Sequence, residues 1–221
     1  MKKTSLALLA ACSRTARPNL PGLVLQLELD DDSTAVAVAD LPQTTSTSGL
    51  GFVDGVAGRA LSVDGSGAQI ALEHPERLEL SRALTLEFYV NFADWKNPYP
   101  AGGGLESVVS HSDNFTVAVD PHTWRLQARV TTNGDPEPVS LAGGVVTPGT
   151  WHHVALVFEG ERSSARLVLD GAEVARTEAR GELVVRPNVS IVIGTWFKRN
   201  NAFCGALDSI RIWNRALAAE E

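Results

Sequence analysis

Apolar side chains fall on every second residue through much of this chain, and that spacing commits it to β-strands. From Leu23 to Leu29 the sequence LVLQLEL sets Leu23, Leu25, Leu27 and Leu29 on one side and Gln26 and Glu28 on the other. From Leu84 to Phe92 (LTLEFYVNF), Leu84, Leu86, Phe88, Val90 and Phe92 share a face opposite Thr85, Glu87 and Asn91. A helix would place its apolar residues three and four apart. Further strand-like runs are expected at 59–63, 69–72, 106–111, 115–119, 124–131, 151–159, 166–169, 172–178, 190–193 and 206–214. Turn clusters such as Asp64-Gly65-Ser66-Gly67 and Asp170-Gly171 punctuate them. Strands buried on one face must cover that face with another layer, so the expected fold is all-β, a two-sheet antiparallel sandwich. Residues 39–51 and 98–104, rich in Ser and Thr or in Gly and Pro, read as loops.

A chain of 221 residues suits one generous sandwich, whereas two domains would each be thin. The net charge of -7, with Lys and Arg scattered, leaves no basic stripe for phosphates and argues against a nucleic-acid partner. Two cysteines, Cys12 and Cys204, cannot build a disulfide framework.

Lys2 and Lys3 precede the short apolar run from Ser5 to Ala11, the charged and apolar parts of an export signal. The run is far too short to span a bilayer. Leu9-Ala10-Ala11-Cys12 resembles the lipobox of bacterial lipoproteins. That resemblance implies lipidation at Cys12 and an exported chain, either an envelope lipoprotein or extracellular, whose membrane contact runs only through the anchor. One lipid chain binds marginally, so firm anchoring implies multiple acylation. The expected organisation is a signal segment at 1–11, a linker at 12–21 and a domain at 22–217. In an uncleaved or conventionally exported chain, a Cys12–Cys204 disulfide is the competing use of the two thiols.

Four blocks carry a wider resemblance. Residues 53–65 (VDGVAGRALSVDG), 148–157 (PGTWHHVALV), 167–171 (LVLDG) and 205–217 (GALDSIRIWNRAL) are similar, in order, to the blocks of laminin G-like/pentraxin-like domains. The departures are Ser209, Trp213 and an extra loop at 93–105. The resemblance implies a concanavalin A-like jelly roll and makes Trp151 a core residue. The family includes carbohydrate binders, adhesion modules and enzyme accessory domains, so fold alone leaves function open.

Simple alternation in 206–212 sets Asp208 beside Ala206, Ile210 and Ile212, a carboxylate on an apolar face that needs a partner. One solution pairs it with an arginine or with backbone amides. The other comes from the resemblance, since related glucanases and lectins hold a structural calcium with an aspartate of the closing strand and oxygens near the first. Here Asp208 with Asp30 or Asp31 would be the metal set, Ca²⁺ the expected cofactor. His152 and His153, adjacent on a strand, point apart and cannot share one ion. The expected ligand-binding residues are Trp196, Arg199, Asn200 and Asn201 in TWFKRNNA, with Trp95 and Tyr99 in DWKNPY, because sugar rings stack on aromatic planes while their hydroxyls need fixed polar partners. No paired-carboxylate strand appears, and Glu73, Glu76 and Glu79 read as a solvated turn or short helical loop, so no catalytic residue is assigned. The leading expectation is a noncatalytic surface or secreted binding module for carbohydrate or glycoprotein. A protein-interaction or structural envelope lipoprotein is the alternative, and a glycoside hydrolase the third reading.

Overall fold

The computed structural model describes residues 20–30, 41, 43–46, 49–94, 104–112, 114–195 and 202–218. They form strands β1 (Leu23–Leu27), β2 (Gln43–Ser46), β3 (Leu50–Asp54), β4 (Arg59–Asp64), β5 (Gln69–Leu72), β6 (Ala83–Phe92), β7 (Glu106–His111), β8 (Phe115–Asp120), β9 (Arg125–Val130) and β10 (Val139–Val145), followed by β11 (Trp151–Glu159), β12 (Ser164–Leu169), β13 (Ala172–Glu178), β14 (Ile191–Ile193) and β15 (Cys204–Trp213). Single 3₁₀ turns occupy Pro75–Leu78 and Gly160–Arg162.

Two sheets result. The first runs β13-β12-β11-β6-β15-β4-β3, with β1 also on β15; the second runs β10-β9-β8-β7-β14-β5-β2. Neighbouring strands pair antiparallel, and the two layers close over one core, an all-β jelly-roll sandwich. Strand β6 shows why: Leu84, Leu86, Phe88, Val90 and Phe92 are all fully buried, while Glu87, Tyr89 and Asn91 stand half-exposed on the outer face. Facing residues of β8 and β14, such as Phe115, Val117 and Ile191, complete the packing.

The structure differs from the expectation in three places. Gln43–Ser46 and Leu50–Asp54 are strands within or beside the expected loop at 39–51, and Val139–Val145 is a strand where none was assigned. These are outer strands, β2, β3 and β10, each at the end of its sheet's order. In β10 the inward positions are Val139, Leu141 and Gly143, so burial alternates while the glycines cut the apolar run in the sequence to two residues.

The third difference lies in β15. It pairs with β4 through Cys204–Leu207 and with β1 through Ile210–Trp213, so the two strands succeed one another along the same edge. Between them the register against β6 shifts and Ser209 takes φ 51°, a β-bulge. The bulge reverses the alternation. Leu207, Ile210 and Ile212 enter the core, while Ala206, paired with Asn91, and Asp208, paired with Tyr89, face out of the sheet. The expected grouping of Asp208 with Ile210 and Ile212 is therefore corrected.

Candidate functional site

Asp208 is nonetheless fully buried. It sits where β4 ends and β1 takes over, and the β3–β4 hairpin turn folds across it. Its Oδ2 accepts the N–H of Val56 at 2.8 Å and of Ala57 at 3.1 Å, and its Oδ1 accepts from the Ser209 hydroxyl at 3.0 Å. An added Cβ at Gly55 would lie 2.6 Å from Oδ2, so the close approach requires glycine there. Asp30, just beyond β1, accepts the Arg59 N–H at 2.9 Å from the other side of the same turn. Two of the three aspartates expected as metal ligands, Asp208 and Asp30, thus meet at one hairpin, where backbone amides bind one oxygen of each. Glu28 approaches Ser209 at 3.4 Å and takes a hydrogen bond from Gln26. Among the described residues no three His, Cys, Asp or Glu side chains gather as metal ligands. Asp31 lies outside the described residues.

The expected ligand-binding residues Trp95, Tyr99, Trp196, Arg199, Asn200 and Asn201, and the expected lipidation site Cys12, also lie outside the described residues. The stems of the two aromatic segments are described, and they converge. Phe92, which ends β6, pairs with Gly205 of β15, and Ser107 of β7 bridges Ala202. Gly194 donates its N–H to Val108, and Phe203 donates to Gly194. The chain therefore departs toward 95–103 and returns from 196–201 at one end of the sandwich.

Two further groups lie at that end, Glu106, which the sequence did not mark, and Cys204. Glu106 is 1% exposed and points inward opposite Val119, with neither carboxyl oxygen hydrogen-bonded. Burial pushes its pKa up to about 7; the backbone N–H of Cys204 offsets part of this without forming a hydrogen bond of normal geometry. Cys204 is a free thiol, raised to about 11 by burial and by the nearby charges of Glu106 and Asp64. No motif marks Glu106. Only its place at the start of a run in which every residue is buried would have drawn notice.

The adjacent histidines do point apart. His152 is buried and lies 2.7 Å from Asp170 through Nδ1, while its Nε2 accepts the Thr147 N–H at 3.0 Å. That acceptor role fixes the proton on Nδ1. Asp170 also accepts the His153 N–H at 2.8 Å, so the pair ties two turns together. His153 faces outward, 3.3 Å from Glu87 and with its ring centroid 5.0 Å from that of Tyr89. Glu87 further meets Arg211 at 3.7 Å and the Trp213 indole N–H at 3.4 Å. Desolvation pushes the Glu87 pKa up, but His153, Arg211 and Trp213 together hold it below the usual value. Trp151, expected in the core, is half-exposed on this same outer face beside Asn91. Inward phase on β11 belongs to Val154, Leu156 and Phe158, which turns residues 151 and 153 outward.

A third histidine is sealed. His111 donates from Nε2 to Val189 O at 2.9 Å and accepts from Asn114 at Nδ1, and burial lowers its pKa. Among the described residues no helix is long and apolar enough to cross a membrane.

Comparison with known proteins matches residues 64–221 to a laminin G-like family model of the concanavalin A-like lectin/glucanases superfamily. No curated protein sequence matches. The binding domain of Paraclostridial Mosquitocidal Protein 1 has a similar structure, with TM-score 0.73 and 16% identity over 90% of this chain and 50% of that one. Domain 4 of AbnA, a GH43 extracellular arabinanase from Geobacillus stearothermophilus solved with arabinotriose, gives 0.60 and 17% over 90% of this chain and 95% of that one. The binding domain of Botulinum Neurotoxin DC, solved in complex with SialylT, gives 0.67 and 7% over 90% and 49%. This chain thus spans about half the length of the toxin binding domains it matches.

Proposed function

Since the chain belongs to the laminin G-like domains of the concanavalin A-like lectin/glucanases superfamily, we propose that it is a noncatalytic binding module whose ligand is a carbohydrate or a glycoprotein. The observation that supports this reading is that the described residues flanking 95–103 and 196–201 converge at one end of the sandwich, and those two segments hold Trp95 and Tyr99, and Trp196, Arg199, Asn200 and Asn201. Aromatic rings with amides and a guanidinium suit a sugar's apolar face and ring hydroxyls. The neighbour solved with arabinotriose supports the reading because the match covers nearly all of that domain, whereas the toxin matches cover half and leave open which half meets SialylT. The test is a glycan array with the full chain, followed by calorimetry on the best glycan. Trp196→Ala should abolish binding with an unchanged melting temperature. No glycan bound at micromolar protein defeats the proposal.

The alternative, a protein-interaction or structural envelope lipoprotein, draws on Cys12 and the apolar run before it. It is favoured if a pull-down from envelope extract recovers one protein partner and free sugars do not release it. Location at the envelope is tested by mass spectrometry: an acylated Cys12 amino terminus, lost in Cys12→Ser, supports the anchor.

Structural calcium is a narrower proposal. Calcium takes about six to eight oxygens, whereas Asp208 Oδ2 and Asp30 Oδ1 accept amide protons and Asp208 Oδ1 accepts from Ser209, so these two carboxylates supply at most part of a shell. The described residues by themselves do not make a calcium shell, so the ion would depend on Asp31 or other oxygens beyond them. A melting temperature lowered by chelator supports it; an unchanged one removes it.

A further inference from the structure

The outer face of the first sheet carries a row of side chains that the fold itself does not use. Read across strands β11, β6, β15 and β4, the row is Trp151, Asn91, Ala206 and Ser62, each the cross-strand partner of the next. Four adjacent strands span about 14 Å, enough for a short oligosaccharide to lie across them. Trp151, Asn91 and Ser62 are half-exposed, and Ala206 lies low between them, so the indole stands at one end of a shallow bed. Tyr89, next along β6, brings a second ring, tilted against His153.

The polar groups here are idle. Among the described residues, the indole N–H of Trp151, the amide of Asn91 and the phenol of Tyr89 make no hydrogen bond, although the same sheet satisfies Trp213, Thr85 and Glu87 with protein partners. The contrast separates an outer face that is already covered from one that is open. The chain past β15 covers the far rows: Leu217 donates its N–H to Thr85, and Arg166 donates to Leu217 O. The Trp151 row lies beyond that cover, at the end where the chain departs toward 95–103 and returns from 196–201.

We infer that this row is a saccharide-binding surface, with Trp151 as the stacking plane, Asn91 and the Tyr89 hydroxyl as hydroxyl partners, and a neutral oligosaccharide as the ligand class. The inference rests on the carbohydrate reading above and moves the contact onto the sheet. Neutrality follows from the row's composition. Its side chains carry no charge at neutral pH, and the acids two residues along the same face, Asp208 beside Ala206 and Asp64 beside Ser62, would repel an anion rather than bind it. An anionic sugar would lose hydration there without gaining a counter-charge. An amide offers both a donor and acceptors, which suits neighbouring hydroxyls.

The test uses the full chain on an array of neutral and acidic oligosaccharides, with calorimetry on arabinotriose and on the best array glycan. Asn91→Ala and Trp151→Ala should each weaken binding at least tenfold. Ser62→Trp, which fills the bed and removes nothing, should do the same with a melting temperature close to that of the unmodified chain. It keeps the test decisive if Trp151→Ala is unstable. If the unmodified chain binds and all three variants bind equally well, or if only acidic glycans are captured, this inference is overturned while the carbohydrate reading stands. If nothing on the array binds, the carbohydrate reading falls and this inference with it.

Discussion

Asp208 and Glu106 are both carboxylic acids sealed from water, and the protein treats them in opposite ways. Asp208 accepts three hydrogen bonds, two from the amides of Val56 and Ala57 and one from Ser209. Glu106 accepts none. The difference traces to strand register. A bulge turns Asp208 out of the sheet into the gap between β4 and β1, where a hairpin turn brings unpaired amides to it. Glu106 stays in phase with the core, facing Val119, where no donor reaches its oxygens in hydrogen-bond geometry. Burial alone therefore says little about an acid's role; whether its oxygens have partners decides whether it holds the fold or strains it.

The largest effect should come from removing the satisfied acid. Asp208→Ala leaves two amide hydrogens without acceptors, and charge-assisted bonds of this kind are worth about 1.5–3 kcal/mol each, so a loss of about 3–5 kcal/mol is expected in urea unfolding. Asp208→Asn keeps one acceptor oxygen and should lose less. Equal losses for the two variants would mean that the site depends on charge, as a bound cation would require, and would break the account of Asp208 as an amide cap.

Glu106 should give the next largest effect, with the opposite sign. Its pKa rises from 4.5 to about 7 in the folded chain, so the stability it contributes is fully present below pH 4.5 and is lost as pH climbs through 7. Shifts of this size correspond to on the order of 3 kcal/mol at pH 8. Glu106→Gln cannot ionise, so it should melt higher than the unmodified chain at pH 8, with a lead that shrinks as the pH falls toward 4.5. His111, whose pKa burial lowers, works the other way: its contribution is present above pH 6.5 and is lost as pH falls below it. The unmodified chain should therefore be most stable in mildly acidic solution. A pH-independent gap between Glu106→Gln and the unmodified chain would show that Glu106 does not titrate in this range.

The His152–Asp170 pair should sit between these cases, because it is hydrogen-bonded but only half sealed, Asp170 being 51% exposed at its side chain. Replacing His152 with Ala frees the Thr147 amide and Asp170 together, a loss of about 1–2 kcal/mol. A double-mutant cycle with Asp170→Ala should recover a coupling near 1 kcal/mol. Zero coupling would mean that the two turns are held by backbone bonds alone.

How much of this was legible in the sequence depended on repetition. The central strands announce themselves because burial on one face repeats every second residue, as in Leu84 to Phe92, and the laminin G-like blocks fix their order. The outer strands 43–46 and 139–145 are not legible, since Gln43–Ser46 is a polar QTTS run and in Val139–Val145 two glycines interrupt the apolar positions. At the candidate site the sequence named Asp208, with Asp30 and Asp31 as open alternatives near the first strand, but gave Asp208 the wrong face, because a one-residue bulge at Ser209 leaves no trace in composition. Trp151 was misplaced for a related reason: the motif identifies the strand without saying which phase of it enters the core. Glu106 and the Asp170 partner of His152 depend on pairings between distant strands or across a hairpin, which only the fold supplies.

The smallest effect sharpens the comparison at the unsatisfied end. The Cys204 thiol is raised from 9.0 to about 11, first by burial and then by the charges of Glu106 and Asp64. Two pH units lower the thiolate fraction about a hundredfold at pH 8, so alkylation of Cys204 in a Cys12→Ser background should be correspondingly slow beside a free cysteine. If Glu106 ionises in the folded chain, Glu106→Gln removes one of the two charges opposing the thiolate, and alkylation at pH 8 should quicken a few-fold. At pH 6, where Glu106 is mostly protonated in either case, the two proteins should react alike. An acceleration equal at both pH values would come from looser packing around residue 106, and it would separate a steric cause from the electrostatic one that distinguishes this end of the sandwich from the hairpin over Asp208.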